Sequence, residues 1–261
     1  CSSTAAWPVS LKIVAAERAF HGRTLGSLGL THKAAYREPF RPLREAEFVP
    51  YNDSEALKAA VNSETGAVFL EPVQGEAGVY VPDGDYIRTA RDICDDQGAL
   101  LILDEVQTGF GRTGRWFAKE HSGVVPDVIC LAKAIAGGLP MGAMLARGSS
   151  SEAFRKGDHG STFAGGPLIC AAALATIDVI REEKLVERSE DLGRYLKAEI
   201  EKLKPQEVRG LGLMVGLDLN CDCKSLVEKA LQKGVLINNT GEHTLRLIPP
   251  LVVTKEEIDR V

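Results

Sequence analysis

Four short apolar runs constrain this chain more than anything else in it. Ile13-Val14-Ala15-Ala16, Ala67-Val68-Phe69-Leu70, Leu100-Leu101-Ile102-Leu103 and Val128-Ile129-Cys130-Leu131 carry no polar residue at alternate positions. A strand with one wet face would alternate, so these read as strands covered on both faces. Helical patterns lie between them: a helix over 55–61 capped by Asn52-Asp53-Ser54, and one over 86–96 stopped near Gly98 by the left-handed backbone that glycine tolerates. Buried strands alternating with helices predict a mainly parallel α/β sheet with flanking helices. The segment 142–146 adds a strand expected at an edge or antiparallel.

The pattern changes after Gly166-Pro167. Two long helices are expected over 168–183 and 186–203. Short strands over 213–217, 235–237 and 245–248 then surround a helix over 224–233. The expected organisation is an unassigned segment 1–11, a large domain 12–180 and a small α+β domain 181–261. Thr254 followed by Glu257 reads as a capping box opening a helix that the chain has no length to complete, and a fragment is expected.

Bulk properties narrow the function. A net charge of −5 suits neither nucleic acid nor an anionic membrane surface, and no apolar stretch reaches membrane-spanning length. The six cysteines are irregularly spaced, which fits reduced thiols in a cytoplasmic protein better than a disulfide framework. Cys221-Asp222-Cys223 has no second Cys or His pair at a usable distance, so two thiols are expected there and no metal.

Polar residues that end the apolar runs carry the chemistry. Asp104 closes one run and Lys133 follows the next. An acid at one strand end and an amine at its neighbour is the layout pyridoxal phosphate requires: the amine condenses with the cofactor aldehyde and the acid keeps the pyridine nitrogen protonated. A lone Asp there equally suits a metal, a ribose or a helix N-terminus, and a lone Lys equally reads as a side chain snorkelling to water. A desolvated Lys133 would have a lowered pKa, the state a nucleophilic amine needs. Val106 could pack on a flat ring, Gln107 could donate to a ring oxygen, and the loop 108–114 (Thr-Gly-Phe-Gly-Arg-Thr-Gly) could bring backbone close to a ligand.

Phe20-His21-Gly22-Arg23 lies just past the first strand, Phe20 suited to stacking, His21 to a hydrogen bond and Arg23 to a bidentate carboxylate contact. Glu71 and Glu76 sit in a Pro- and Gly-shaped loop at the same sheet edge, where open α/β sheets take ligands. Arg246 stands in an alternating apolar segment. If buried it needs a partner, for which Glu76 is the candidate; otherwise it faces solvent on an edge strand. Ser161 and Thr162 precede a helix, where they either meet an oxyanion or cap the loop.

Together these segments resemble the class III pyridoxal-phosphate aminotransferases over nearly the whole chain from Lys12 onward. The resemblance implies a type I aminotransferase-like large domain with a small C-terminal domain, pyridoxal 5'-phosphate as cofactor, and a homodimer sharing its active sites. It implies Lys133 and Asp104 as catalytic residues, Phe20, Glu105, Val106, Gln107 and Thr162 as further cofactor contacts, and Arg23, Ser161, Glu76 and Arg246 as substrate contacts. Thr162 would reach the phosphate bound in the partner subunit, and Glu76 would pair with Arg246 between half-reactions. The finer texture around Phe20, Ser161 and Arg246 implies N-acetylornithine as amino donor and 2-oxoglutarate as acceptor, in arginine biosynthesis. Ornithine or 4-aminobutyrate is the alternative donor, and a non-catalytic fragment the alternative from another class. The family's Ser-Gly-Thr-type phosphate loop, expected ahead of the first strand, has no counterpart in residues 1–11.

Overall fold

The computed structural model describes residues 12–260. The segment 1–11, on which the phosphate-loop expectation falls, lies outside the described residues. The large sheet contains six strands: β1 (Lys12–Ala16), β2 (Glu47–Val49), β3 (Thr65–Leu70), β4 (Leu100–Asp104), β5 (Val128–Leu131) and β6 (Ala143–Ala146). Their order is β2-β1-β3-β4-β5-β6. All neighbours are parallel except β5 and β6, which pair antiparallel with Ile129 opposite Leu145. The arrangement is a mainly parallel sheet closed at one edge by a reversed strand.

Nine α-helices follow the chain: α1 (Leu25–Leu28), α2 (Ala34–Arg37), α3 (Ser54–Ala60), α4 (Tyr86–Gln97), α5 (Lys119–Ser122), α6 (Pro167–Glu182), α7 (Leu185–Glu201), α8 (Cys223–Gln232) and α9 (Lys255–Ile258), counted among the described residues. Asp53 caps α3 by accepting from the Ala56 N–H at 2.9 Å. Helix α4 ends at Gly98 with φ of +70°, and its apolar stripe of Ile87, Ala90, Ile93 and Cys94 packs with Val68, Leu70, Leu101 and Leu103 in one core cluster. The capping box at Thr254 and Glu257 is present on α9.

A second, antiparallel sheet orders β7 (Glu207–Leu211), β8 (Met214–Asp218), β9 (Asn238–Asn239) and β10 (Thr244–Leu247) as β7-β8-β10-β9. Its core joins Leu192, Leu196 and Ile200 of α7 to Leu213, Val215, Leu217 and Leu245. The strand expected over 235–237 forms instead at Asn238–Asn239, and β2 and β7 are additional to the expected set.

The loop 108–114, expected to approach a ligand, approaches backbone. A Cβ on Gly212 would lie 2.6 Å from the Gly114 nitrogen, and one on Gly193 of α7 would lie 2.0 Å from the Gly212 carbonyl oxygen. Arg112 donates to the carbonyls of Leu213 and Pro249, and its own carbonyl accepts from the Leu213 N–H and Ser189 Oγ. The glycines permit three backbones to meet, and this contact fixes the small sheet against the large one.

Candidate active site

Strands β1, β3, β4 and β5 run parallel, so their carboxyl ends share one edge of the sheet, and polar residues following those ends converge there. Asp104 is the last residue of β4, 8% exposed. Its Oδ2 lies 2.8 Å from Nδ1 of His21, and its Oδ1 accepts from the Val106 N–H at 3.0 Å. The His21 ring lies edge-on to Phe69 and its Nε2 is buried without a hydrogen-bond partner.

Glu71 ends β3 and is 4% exposed. Its two oxygens accept from the N–H groups of Phe20 and Gly75, each at 3.1 Å. Burial is the largest influence on it and pushes its pKa up to about 7, against the attraction of His21.

Lys133 opens a turn of 3₁₀ helix just after β5, with φ of +48°. A lysine in this left-handed region is uncommon, and such strain persists where the surroundings dictate it. The side chain reaches solvent, yet enough protein surrounds it that desolvation draws its pKa below the usual ammonium range. The charges of Glu76 and Asp104 oppose that shift. Among the described residues its amine makes no hydrogen bond.

At the rim, Arg246 of β10 keeps only 11% of its side chain exposed. Its Nη1 lies 2.8 Å from Glu76 Oε1 and 3.4 Å from Gln107 Oε1. The Gln107 Nε2 donates to Glu76 at 3.3 Å. Burial therefore excludes the solvent-face alternative for Arg246, and Gln107 joins this rim network.

Of the other expected residues, Phe20 adjoins these groups through its N–H to Glu71, while Arg23, Ser161 and Thr162 are exposed. Phe20 is half-buried and edge-on to Tyr36, and the exposed Arg23 stacks on the Tyr36 ring at 3.5 Å. Ser161 and Thr162 lie in an exposed loop before α6, apart from these groups within the chain. The Glu105 side chain is engaged by the protein itself. Successive residues of an extended chain point to opposite faces, and its carboxylate accepts from Thr108 Oγ1 and the N–H groups of Ala118 and Lys119. Its own N–H donates to the Cys130 carbonyl. Glu105 is a buried brace, its carboxylate held by the chain's own donors.

Two residues that the sequence singled out without giving them a cofactor or substrate role, His21 and Glu71, sit with Asp104 in the site. The signal for Glu71 was its place at a strand end; for His21 no spacing signal existed. A cavity of about 700 Å³ lies elsewhere, on the small sheet among Leu236, Ile237, Pro249 and Val252, and touches the site only through Arg246. It is largely apolar and holds none of the acid and amine groups above. No helix among the described residues is long and apolar enough to cross a membrane, and no group of three or more metal-ligating side chains occurs among them.

Comparison with known proteins agrees with this geometry. Residues 3–261 match the family described as aminotransferase class-III, and the chain belongs to that family. It is 54% identical over 253 residues to an acetylornithine aminotransferase of Methanosarcina acetivorans, covering 95% of this chain and 64% of that protein. An acetylornithine aminotransferase of Mycobacterium leprae is 49% identical, with 95% and 63% covered. The chain thus spans under two thirds of the length of these relatives. Among solved structures, an ornithine aminotransferase from Toxoplasma gondii superimposes with a TM-score of 0.92 at 34% identity, covering 98% of this chain and 63% of that one. The acetylornithine aminotransferase of Elizabethkingia anophelis gives 0.83 at 37% identity, covering 96% and 65%. Another Toxoplasma structure of that ornithine enzyme is described with pyridoxal phosphate partially occupying its active site.

Proposed function

We propose that the protein is a pyridoxal-phosphate-dependent aminotransferase that moves the terminal amino group of N-acetylornithine to 2-oxoglutarate. The observation that carries this reading is the pairing of a buried Asp104 with a desolvated Lys133 at the ends of adjacent strands. The residues present fit the cofactor. Among the described residues Asp104 is a buried carboxylate whose only basic hydrogen-bond partner is His21, Lys133 offers an amine with no competing hydrogen bond, and the His21 Nε2 is a buried polar atom without a partner.

Asp104 would hold the ring nitrogen, Lys133 would attach at the aldehyde, and Phe20, Val106 and Gln107 would border the ring. When bound, pyridoxal phosphate supplies that aldehyde and an electron-withdrawing ring. The chain's own groups do the rest. Lys133, its ammonium disfavoured by the protein around it although the side chain reaches solvent, accepts the proton leaving the substrate carbon and returns it. Arg246 receives the far carboxylate of the oxo acid, and Glu76 neutralises it when the other substrate is present. Arg23 and Ser161 are assigned to the amino donor, and Thr162 to the phosphate held by the other subunit of a homodimer.

The donor assignment is supported by relatives at 45–54% identity described as acetylornithine aminotransferases. Ornithine is the second reading, supported by the ornithine aminotransferase structures at 34–35% identity. The full protein is expected to show a visible absorbance band with pyridoxal phosphate that Lys133→Ala abolishes, and to turn over N-acetylornithine faster than ornithine or 4-aminobutyrate with 2-oxoglutarate as acceptor. Absence of the band overturns the cofactor assignment. Faster turnover of ornithine overturns the donor.

A further inference from the structure

The Glu76–Arg246 pair joins two separate pieces of the molecule. Arg246 is fixed by the small sheet, opposite Gly216 on β8 and Asn238 on β9. Glu76 rides on the loop that follows β3, closed by the reciprocal backbone hydrogen bonds of Gln74 and Tyr80. What holds that loop against the sheet is Arg209 of β7, which is 9% exposed. Its Nε donates to the Gly78 carbonyl at 2.9 Å. Its two terminal nitrogens grip both oxygens of Asp218 at 2.7 and 3.0 Å, and Asp218 in turn accepts from Thr244 Oγ1 at 2.7 Å. The guanidinium also lies 4.4 Å from the centre of the Tyr80 ring, which Arg18 stacks as well at 4.2 Å.

Gly78 is two residues past Glu76, and Thr244 is two residues before Arg246. The chain of contacts Gly78–Arg209–Asp218–Thr244 therefore brackets both ends of the ion pair. Two further features mark the loop as held under constraint. Val79 is fully buried with φ of +60°, a region that a β-branched residue enters only when its surroundings impose it. A Cβ at Gly216 would come within 2.4 Å of the Gly78 carbonyl oxygen, so the strand position opposite Arg246 is kept bare to let the loop in.

We infer that Arg209, braced by Asp218, is a positioning residue that holds Glu76 against Arg246 and thereby sets how strongly a dicarboxylate must compete for that guanidinium. The inference rests on the reading of Arg246 as the receptor for the oxo acid's far carboxylate. Among the described residues Arg209 makes no hydrogen bond to Arg246, Glu76 or the strand-end acids. Its effect on the loop that carries Glu76 is separated from a structural role, or from an effect passed through Thr244, by whether it survives removal of the Glu76 charge.

The test is calorimetric binding of glutarate, a dicarboxylate that cannot react, to the full protein loaded with pyridoxal phosphate. Glu76→Gln frees Arg246 and is expected to tighten glutarate. Arg209→Met is expected to tighten it by about threefold in the Glu76 background and to have no effect once Glu76 is Gln, the non-additivity of residues acting in series. Arg209→Lys keeps the charge but not the fork that reaches Gly78 and Asp218 together, so it is expected to shift affinity in the same direction, and it carries the test if the Met variant does not fold. A shift of equal size in both backgrounds, a weakening, or no shift at all overturns the inference. If instead Arg246→Ala binds glutarate as well as the wild type does, the receptor assignment of Arg246 has failed and takes the inference with it.

Discussion

Glu71 and Glu76 belong to one loop, yet their surroundings are opposite. Glu71 is 4% exposed and receives two backbone N–H groups, and burial has lifted its pKa to about 7. Glu76 leaves 40% of its side chain open to solvent and faces the guanidinium of Arg246. The first belongs to a fixed floor with Asp104 and His21, where groups are buried and hydrogen-bonded through the backbone. The second belongs to a rim where a charge pair can open at little cost, because a partly hydrated ion pair is worth little more than its separated members. In the proposed function, a site that keeps one cofactor and exchanges two substrates would use both kinds of charge.

The contrast can be broken at the floor first. Asp104→Asn removes the buried negative charge while keeping its shape, and is expected to lower kcat by about 10²–10³-fold, as loss of a preorganised charge does. Steady-state rates with saturating pyridoxal phosphate check this, and a variant within tenfold of the wild type removes Asp104 from the machinery. A second test concerns stability. Between the ordinary carboxyl value of 4.5 and about 7, the folded chain holds a proton on Glu71 that the unfolded chain has released. Stability therefore falls as pH rises through that window, by about 3 kcal/mol for a shift of this size. Glu71→Gln is neutral at every pH and is expected to flatten that slope in denaturant unfolding. An unchanged slope places the titration elsewhere. The smallest effect belongs to the rim. Arg246→Ala is expected to raise KM for 2-oxoglutarate about tenfold, the scale of one charge-assisted hydrogen bond, while leaving KM for the amino donor near its original value. An equal rise for both substrates would mean that Arg246 serves the fold and not the acceptor.

How far the sequence carried the reader depended on distance along the chain. The four central strands were legible because unbroken apolar runs ending in charge have few other uses, and the positions of Asp104 and Lys133 followed from them. Strand β2 was not, since Glu47-Phe48-Val49 is too short to show a period. The inward turn of the Glu105 side chain was legible by parity alone, because its neighbour Asp104 faces the site and an extended backbone alternates. The His21–Asp104 contact spans 83 positions, and no local pattern encodes it. Loop 108–114 misled for a related reason. Glycine density shows that something comes close, and tertiary packing decides whether that is a ligand or, as here, the backbone at Gly212.

That meeting of Gly114, Gly212 and Gly193 sets a mechanical limit on how the molecule can work. Carbonyl and amide groups of Gly212 and Gly114 are seated there where no methyl would fit, and the Glu190 side chain closes over Gly114. The two sheets are held close there, so in the proposed function the exchange of substrates would fall to side chains around the mouth more than to movement along this seam.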